Sequence, residues 1–165
     1  MSFSISRIGL AIAQRLHSDG ANVVISSRKA ANVDEAMATF SSHDKVLGMP
    51  CHVGKTEDRE KLVKETLDKF GKIDILVSNA GTNPTFGPML DCSEDAWDKI
   101  FEVNVKAAFF LAKEVAPHIA AQDGGSIVFI SSIGGLHPIP VSITRIDCVI
   151  ILTLCLSDDY AILGQ

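Results

Sequence analysis

The 165-residue chain carries 15 lysines and arginines against 20 aspartates and glutamates, which gives a net charge of −5 at pH 7. The basic residues are scattered, a distribution that excludes the concentrated positive patch used to bind nucleic acid or an anionic membrane surface. The longest apolar run, residues 149–156, is far below the ~20 residues that a membrane-spanning helix needs. The length predicts one domain with a sizeable core.

Four cysteines stand at positions 51, 92, 148 and 155 without the paired spacing of a metal site. No secretory signal precedes them, so reduced thiols in an intracellular compartment are expected. No metal is predicted, and the cytoplasm is the expected location.

The first predicted element is a helix within residues 1–17. This segment is rich in serine, contains Arg7 and Arg15 and has no acidic residue, as a mitochondrial transit peptide does. An integral amphipathic helix is the favoured interpretation, because apolar residues recur at helical spacing and Gly20 ends the run. The apolar positions are Ile8, Ala11, Ile12 and Leu16.

Strands and helices then alternate along the chain. Residues 21–26 form a predicted strand, because they contain a β-branched run. Asn32 is predicted to cap a helix, and residues 45–51 form another strand. Thr56 is predicted to cap the next helix, which Gly71 ends. Charged residues give that helix a solvated face: Glu57, Asp58, Lys61, Lys64 and Glu65.

Residues 73–81 are the most informative stretch, an apolar run that ends in Asn-Ala-Gly. Such a run fits a strand covered on both faces. Ser93 is predicted to cap a long helix over residues 93–121, whose broad apolar stripe predicts a core contact or a subunit interface. A glycine pair ends this helix before a buried strand at residues 126–131.

This alternation predicts an α/β fold with a doubly wound parallel sheet. In such sheets a ligand lies beyond the carboxyl ends of the strands. A cofactor is therefore expected near residues 78–81.

Three motifs, in this order and spacing, resemble the short-chain dehydrogenase/reductase family: Asn79-Ala80-Gly81, Val103-Asn104-Val105 and the run from Gly125 to Ser132. The resemblance covers residues 8–140 and implies a partial Rossmann-like domain over residues 1–140, followed by a divergent tail over residues 141–165. Within the family, residues 25–29, 51–54, 73–79 and 97–99 are similar to a branch of NADP(H)-dependent carbonyl reductases and retinol dehydrogenases.

The resemblance implies cofactor-binding roles for residues that follow two strands. Asn79, Ala80 and Gly81 would line the cofactor. Ser27 and Arg28 follow the second strand, where the Arg28 guanidinium would pair with the 2′-phosphate of NADP(H). An ordinary surface arginine is the alternative interpretation of Arg28.

Three further residues have roles by the same resemblance. His52 occupies the place of an adenine-side aspartate, either as a cofactor contact or as an ordinary loop histidine. Ser132 would hold the substrate carbonyl, and Asn104 would maintain a helix break and the water link that supports the catalytic lysine. The implied substrates are small carbonyls and alcohols, retinoids among them.

The phosphate-binding turn departs from the family pattern. When Ile8 and Gly9 are aligned with this turn, Gly9 is its only glycine, since Ser2, Phe3 and Arg7 occupy the other positions. Side chains at these positions prevent the backbone from approaching the pyrophosphate closely, so NADP(H) binding is expected to be weak or lost. The first central strand and the last strands are also expected to be absent, which leaves an incomplete sheet with unpaired inner edges.

The proton-transfer site departs as well. Arg145 stands thirteen residues after Ser132, where the family has its tyrosine, and Val149 stands four residues later in place of the lysine. General acid-base catalysis of this kind contributes ~10²–10⁴-fold. The chain's one tyrosine, Tyr160, has Gly164 four residues later instead of a lysine. We expect a catalytically inactive polypeptide.

Three alternatives for the whole chain remain open. The first is an incomplete, inactive oxidoreductase, cut by splicing, a frameshift or a gene-model error. The second is a non-catalytic partner of a full-length subunit, as a homo- or hetero-oligomer through residues 93–121, and the third is an unstable product. β-branched residues at 149–153 favour a strand in the tail, and full-length relatives offer a peroxisomal alternative to the cytoplasm.

Overall fold

The computed structural model describes residues 2–4, 7–85, 87–122 and 124–131, with the backbone alone for residues 2–4 and 89. The strands are β1 (Ser2–Ser4), β2 (Val23–Ser27), β3 (Val46–Pro50), β4 (Ile75–Ser78) and β5 (Ser126–Phe129). The helices are α1 (Arg7–Ser18), α2 (Ala30–Met37), α3 (Thr56–Phe70), α4 (Glu94–Phe101) and α5 (Ala108–Ala120). A 3₁₀ turn (Met89–Asp91) precedes α4, and a π-helical segment (Glu102–Ala107) joins α4 to α5.

The strands form two parallel sheets. One has the order β1-β2-β3, and the other pairs β4 with β5. Each connection between neighbouring parallel strands carries at least one helix, as βαβ units require. The expected incomplete, doubly wound α/β fold is confirmed.

A short first strand corrects one detail of that expectation. Ser2–Ser4 pair in parallel with β2, in the register Ser2↔Val24 to Ser4↔Ser26, although the first central strand was expected to be absent. β1 also lies beside β4, so it occupies the central place between the two sheets. Its backbone groups find ladder partners on β2, which stabilises even three residues in extended form. Phe3 therefore lies in a strand and Arg7 begins a helix, instead of both lying in a turn.

The core lies on the faces of the central strands. One cluster joins β2 to α1 and α2 through Ile25, Ala13 and Ala36, among others. A second joins β4 to α3 and α5, with Leu76 and Leu111 fully covered. Burial of these side chains contributes about 1.5–3 kcal/mol each for the larger ones.

Helix α1 is rotated relative to the face that its apolar spacing predicts, although Ile12 and Leu16 of the predicted stripe do pack against the core. Gly9 and Ala13 are its buried residues, and Ile8 is 60% exposed. Leucines and isoleucines occur on both sides of this helix, so the spacing of Ile8 alone does not fix the buried face. The small residues allow α1 to approach the sheet closely.

Helix boundaries follow some of the predicted signals. Ser93 caps α4 and accepts a hydrogen bond from the Ala96 N–H at 3.3 Å. Gly71 ends α3 in a left-handed conformation with φ of 75°, and its N–H donates to the Leu67 carbonyl.

The predicted caps at Asn32 and Thr56 are wrong. Extended lysines, Lys29 and Lys55, occupy the cap positions of α2 and α3, so Asn32 and Thr56 lie inside those helices. The Asn32 side chain instead donates to the Ser27 hydroxyl at 3.4 Å.

In the described part of the chain, no helix is long and apolar enough to cross a membrane. The predicted tail strand at residues 149–153 lies outside the described residues, as do Ser132, Arg145 and Tyr160.

Candidate functional site: a cavity at the carboxyl ends of three strands

A cavity of about 340 Å³ opens where β2, β3 and β4 end. Its walls are the segments that follow those strands, which is where a parallel sheet presents ligand-binding groups. The described lining residues are Ser26, Ser27, Arg28, Lys29, Asn32, Cys51, His52, Val53, Asn79, Ala80, Gly81, Thr82 and Val103. The volume falls in the range of small-molecule sites.

One side of the cavity is basic. Arg28 and Lys29 follow β2 directly, and both are exposed. Ser27 and Asn32 lie beside them and hydrogen-bond each other. None of the described lining residues is acidic. The arrangement favours an anionic ligand, which guanidinium and ammonium groups hold by charge-assisted hydrogen bonds.

The side of the cavity formed by Asn79, Ala80 and Gly81 is held in place by the long helix, which consists of α4, the π-helical segment and α5. Asn104 lies in the π-helical segment and is 2% exposed. Its Oδ1 accepts from the Thr82 N–H at 2.8 Å, and its Nδ2 donates to the Thr82 carbonyl at 3.0 Å. The predicted helix break at Asn104 is thus a π-helical distortion, a feature frequent at functional sites. The side chain holds the backbone just after the Asn-Ala-Gly turn.

The opposite wall, residues 51–53, is held by the first turn of α3. The Asp58 carboxylate accepts from the His52 N–H at 2.7 Å. The Arg59 guanidinium donates to the Val53 carbonyl at 2.8 Å through Nη1. Asp58 was predicted on the solvated face of α3, but it is half-buried because it serves this wall.

His52 contributes a side chain in a defined orientation. Its Nδ1 accepts from the Gly54 N–H at 3.2 Å, which leaves Nε2 as the protonated nitrogen of the neutral ring. Nearby Glu102 is bonded to Lys99 at 2.6 Å. That hydrogen bond and the Lys99 charge lower the pKa of Glu102, with a smaller effect from His52.

Cys51 belongs both to this wall and to the hydrophobic core. Its thiol is buried and donates to the Asp58 carbonyl at 3.6 Å. Burial and the Asp58 charge raise the pKa of this thiol to about 12. Cys51 and Cys92 are free thiols, and no group of residues in the described ranges has the composition of a metal site.

The structure brings most of the predicted cofactor residues together, with two exceptions. Ser27, Arg28, His52 and the Asn-Ala-Gly turn all line the cavity. Gly9 and Ile8 lie in α1 and are not among the described lining residues; Gly9 is buried and Ile8 is exposed. Ser132 lies outside the described residues.

Sequence reasoning missed the residues that hold the walls. Thr82 follows the Asn-Ala-Gly motif, but nothing in the sequence indicates its bonds to Asn104. Arg59 stands in a charge run on α3, 55 residues from its partner Glu114 on α5. No periodic or short-range signal connects two charges at such a separation.

The family model for short-chain dehydrogenases matches residues 5–144. The chain belongs to the short-chain dehydrogenase family. This agrees with the parallel α/β fold and with the cavity at the strand ends.

The chain is similar to curated proteins named dehydrogenase/reductase SDR family member 4. It is 51% identical to the protein of that name from Sus scrofa over 138 residues, which are 83% of this chain and 50% of that protein. It is 54% identical to the one from Caenorhabditis elegans over 127 residues, 76% of this chain and 49% of that protein. The chain thus spans about half the length of these relatives. The predicted sequence similarity to one branch of the family, the proteins of this name, is confirmed.

Solved structures give the same result. A short-chain dehydrogenase/reductase of unknown function from Caenorhabditis elegans, solved with cofactor, matches with a TM-score of 0.85 and 27% identity, over 95% of this chain and 62% of that one. An NAD⁺-bound xylitol dehydrogenase matches with a TM-score of 0.87 and 29% identity, over 96% of this chain and 62% of that one.

Proposed function

We propose that this chain binds NADP(H) in the cavity. Its function is related to that of oxidoreductases that interconvert small carbonyls and alcohols, retinoids among them. The observation that carries the proposal is the cavity itself, which brings Arg28 and Lys29 to one side and the Asn79–Ala80–Gly81 turn to the other. Both solved neighbours named above hold a cofactor, by their descriptions.

The phosphate preference follows from charge. A 2′-phosphate distinguishes NADP(H) from NAD(H), and the fork of an arginine binds it, whereas an acidic residue would bind the ribose of NAD(H). Arg28 is exposed at the cavity edge and no described lining residue is acidic. Of the usual glycines of the phosphate-binding turn the sequence keeps only Gly9, which lies in α1, so the affinity is expected to be modest.

Binding and turnover are separate parts of the proposal. When bound, the cofactor supplies or accepts a hydride. Ser132 is proposed to hold the substrate carbonyl, and Asn104 to support the site through the Thr82 backbone. Arg145 and Val149 cannot transfer a proton to the developing alkoxide as a tyrosine–lysine pair does. We therefore propose that this polypeptide binds the cofactor but does not turn over.

Fluorescence titration of the purified chain with NADPH and with NADH tests the binding part. We expect tighter NADPH binding, and a loss of about tenfold in NADPH affinity for Arg28→Ala, since one charge-assisted hydrogen bond is removed. NADH affinity should not change in that variant. Arg15→Ala is the matched control, because Arg15 is an exposed arginine on α1 that pairs with Asp19. Equal affinities for both cofactors, unaffected by Arg28→Ala, would refute the assignment to NADP(H).

A turnover assay tests the second part. Incubation with NADPH and a reactive dicarbonyl or retinal should give no oxidation of NADPH. Turnover that disappears in Ser132→Ala would show that the chain is an active enzyme and would overturn the proposed inactivity.

The exposed face of the long helix favours a second candidate, a non-catalytic partner of a full-length subunit. Trp97 is 41% exposed and Phe109 is 37% exposed, and Trp97 stacks on Phe101 with ring centroids 4.7 Å apart. Exposed aromatics of this size are typical of interfaces.

Co-purification tests this candidate. A full-length relative should retain the chain, and Trp97→Ser with Phe109→Ser should abolish retention, with exposed Lys113→Ser on α5 as the control. Failure to associate at micromolar concentration contradicts it. Urea unfolding of the same sample distinguishes both candidates from an unstable product, which would lack a cooperative transition.

A further inference from the structure

The cavity wall at residues 51–53 depends on α3 for its position. Just beyond the end of β3, the Cys51 N–H still donates to the Ser27 carbonyl of β2, at 2.9 Å. After that, the His52 N–H and the Val53 carbonyl bond to Asp58 and Arg59. The side chains of two adjacent residues of α3, Asp58 and Arg59, therefore determine the position of this wall.

Arg59 is the less exposed of the two, at 4%. A buried guanidinium requires compensation, since desolvation of a charge costs several kcal/mol. Its Nε lies 2.9 Å from Glu114 Oε1, and Phe110 lies under the guanidinium at 5.6 Å. Nη2 donates to the Thr56 hydroxyl at 3.2 Å. Both aromatic and acidic partners belong to α5, so α5 determines the place of Arg59.

The same long helix holds the opposite wall. Asn104, in the π-helical segment that leads into α5, fixes the Thr82 backbone with two hydrogen bonds. The path from Glu114 through Arg59 to Val53 fixes the other side. The width of the cavity between Val53 and Thr82 is thus set by one helix with two attachments.

From this geometry we infer that Arg59 is a positioning residue for dinucleotide binding, which acts through the Val53 carbonyl and is itself placed by Glu114. The inference rests on the proposed function, because the ligand is the cofactor proposed above. Arg59 does not line the cavity and is not expected to touch the ligand.

A lysine cannot replace Arg59 in this role. The guanidinium bonds Glu114 through Nε and Val53 through Nη1 in two directions at once. A single ammonium keeps the charge but lacks this rigid fork. Arg59→Lys therefore distinguishes the effect of the positive charge, which the variant keeps, from that of the two directed hydrogen bonds, which it loses.

The test measures NADPH affinity of the full chain at a temperature where urea unfolding shows every variant to be folded. We expect about tenfold weaker binding for Arg59→Lys and Glu114→Ala, and a change within about twofold for Glu114→Gln, which keeps an acceptor for Nε. Arg15→Lys is the matched control, because Arg15 Nε bonds Asp19 Oδ2 at the same 2.9 Å on the exposed surface.

Hydrogen exchange of the unliganded variants supplies a second readout. Amides of residues 51–55 should exchange faster in Arg59→Lys, whereas amides near Thr82 should not change. A general loss of stability would instead raise exchange in both regions.

The outcomes distinguish the two proposals. If the wild-type chain binds NADPH and Arg59→Lys and Glu114→Ala bind it equally well, the inference about Arg59 is overturned alone. If Glu114→Gln is as damaging as Glu114→Ala, the hydrogen bond to Nε does not place Arg59, and the inference is likewise overturned. If the wild-type chain does not bind NADPH, the proposed function is refuted, and the inference about Arg59 is refuted with it.

Discussion

Replacement of Asn104 by alanine is expected to destabilise the fold substantially. The side chain is 2% exposed and bonds both backbone polar groups of Thr82. Alanine leaves an N–H and a carbonyl of the half-buried Thr82 without these partners, at about 1–3 kcal/mol each. The free energy of unfolding should therefore fall by about 2–6 kcal/mol, a large share of the ~5–15 kcal/mol typical of a domain.

Urea unfolding followed by circular dichroism measures this loss, and hydrogen exchange locates it. The Thr82 amide should exchange faster in Asn104→Ala than in the wild type. Asn22→Ala is the control, because Asn22 is exposed before β2. A loss below about 0.5 kcal/mol, within the usual range for surface substitutions, would refute the view that Asn104 holds this wall.

Three further substitutions have defined outcomes. Gly125→Ala should lower the free energy of unfolding, measured by urea titration, by about 1–3 kcal/mol, because the new Cβ would clash with the Asp74 carbonyl oxygen, a backbone atom that cannot move freely. Ser93→Ala should cost about 1 kcal/mol by the same assay, since the Ala96 N–H loses its acceptor. Cys51→Ala should lose less unfolding free energy than the wild type as the pH is raised into the alkaline range.

The sign of the Cys51 effect follows from its raised pKa. The folded chain retains the thiol proton up to about pH 12, whereas an unfolded thiol titrates near 9.0. Above that lower value the unfolded state binds fewer protons, so stability falls as the pH rises. Wild-type unfolding free energy should drop by about 1.4 kcal/mol between pH 7 and pH 10 through this group. Equal pH profiles for wild type and Cys51→Ala would contradict the assignment.

The other two predictions have their own checks. Ser93→Asp keeps an acceptor at the start of α4 and should retain the stability that Ser93→Ala loses. If both variants are equally destabilised, the hydrogen bond to Ala96 is not what stabilises the helix start. For Gly125→Ala, unchanged stability would mean that β4 and β5 can separate at Asp74 without cost.

Local chemistry made much of the fold predictable. The β-branched run of β2 and the left-handed glycine after α3 each restrict the backbone within a few residues, so Val23–Ser27 and Gly71 follow from sequence. The Asn79–Ala80–Gly81 turn and Arg28 were predictable as neighbours because parallel strands bring their carboxyl ends to one edge.

Contacts between distant elements were not predictable in this way. Arg59 stands in a highly charged stretch of α3 with no predicted role, and only the approach of α5 makes it half of a buried ion pair with Glu114. The buried face of α1 depends on which side can approach the sheet, so packing selects Gly9 over the more apolar Ile8. Asn32 has a strong cap preference, but the extended Lys29 starts the helix earlier.

The π-helical segment Glu102–Ala107 gives the long helix a fixed phase. Each residue of an α-helix turns the chain by about 100°, so deletion of one residue in this segment would rotate everything that follows by roughly that angle. Glu114 would then face away from Arg59, while Ser93 and α4 would stay in place. The length of the segment therefore sets the rotation of α5 about its axis. If that length changes by one residue, the buried Arg59 guanidinium loses Glu114 and needs another acidic partner.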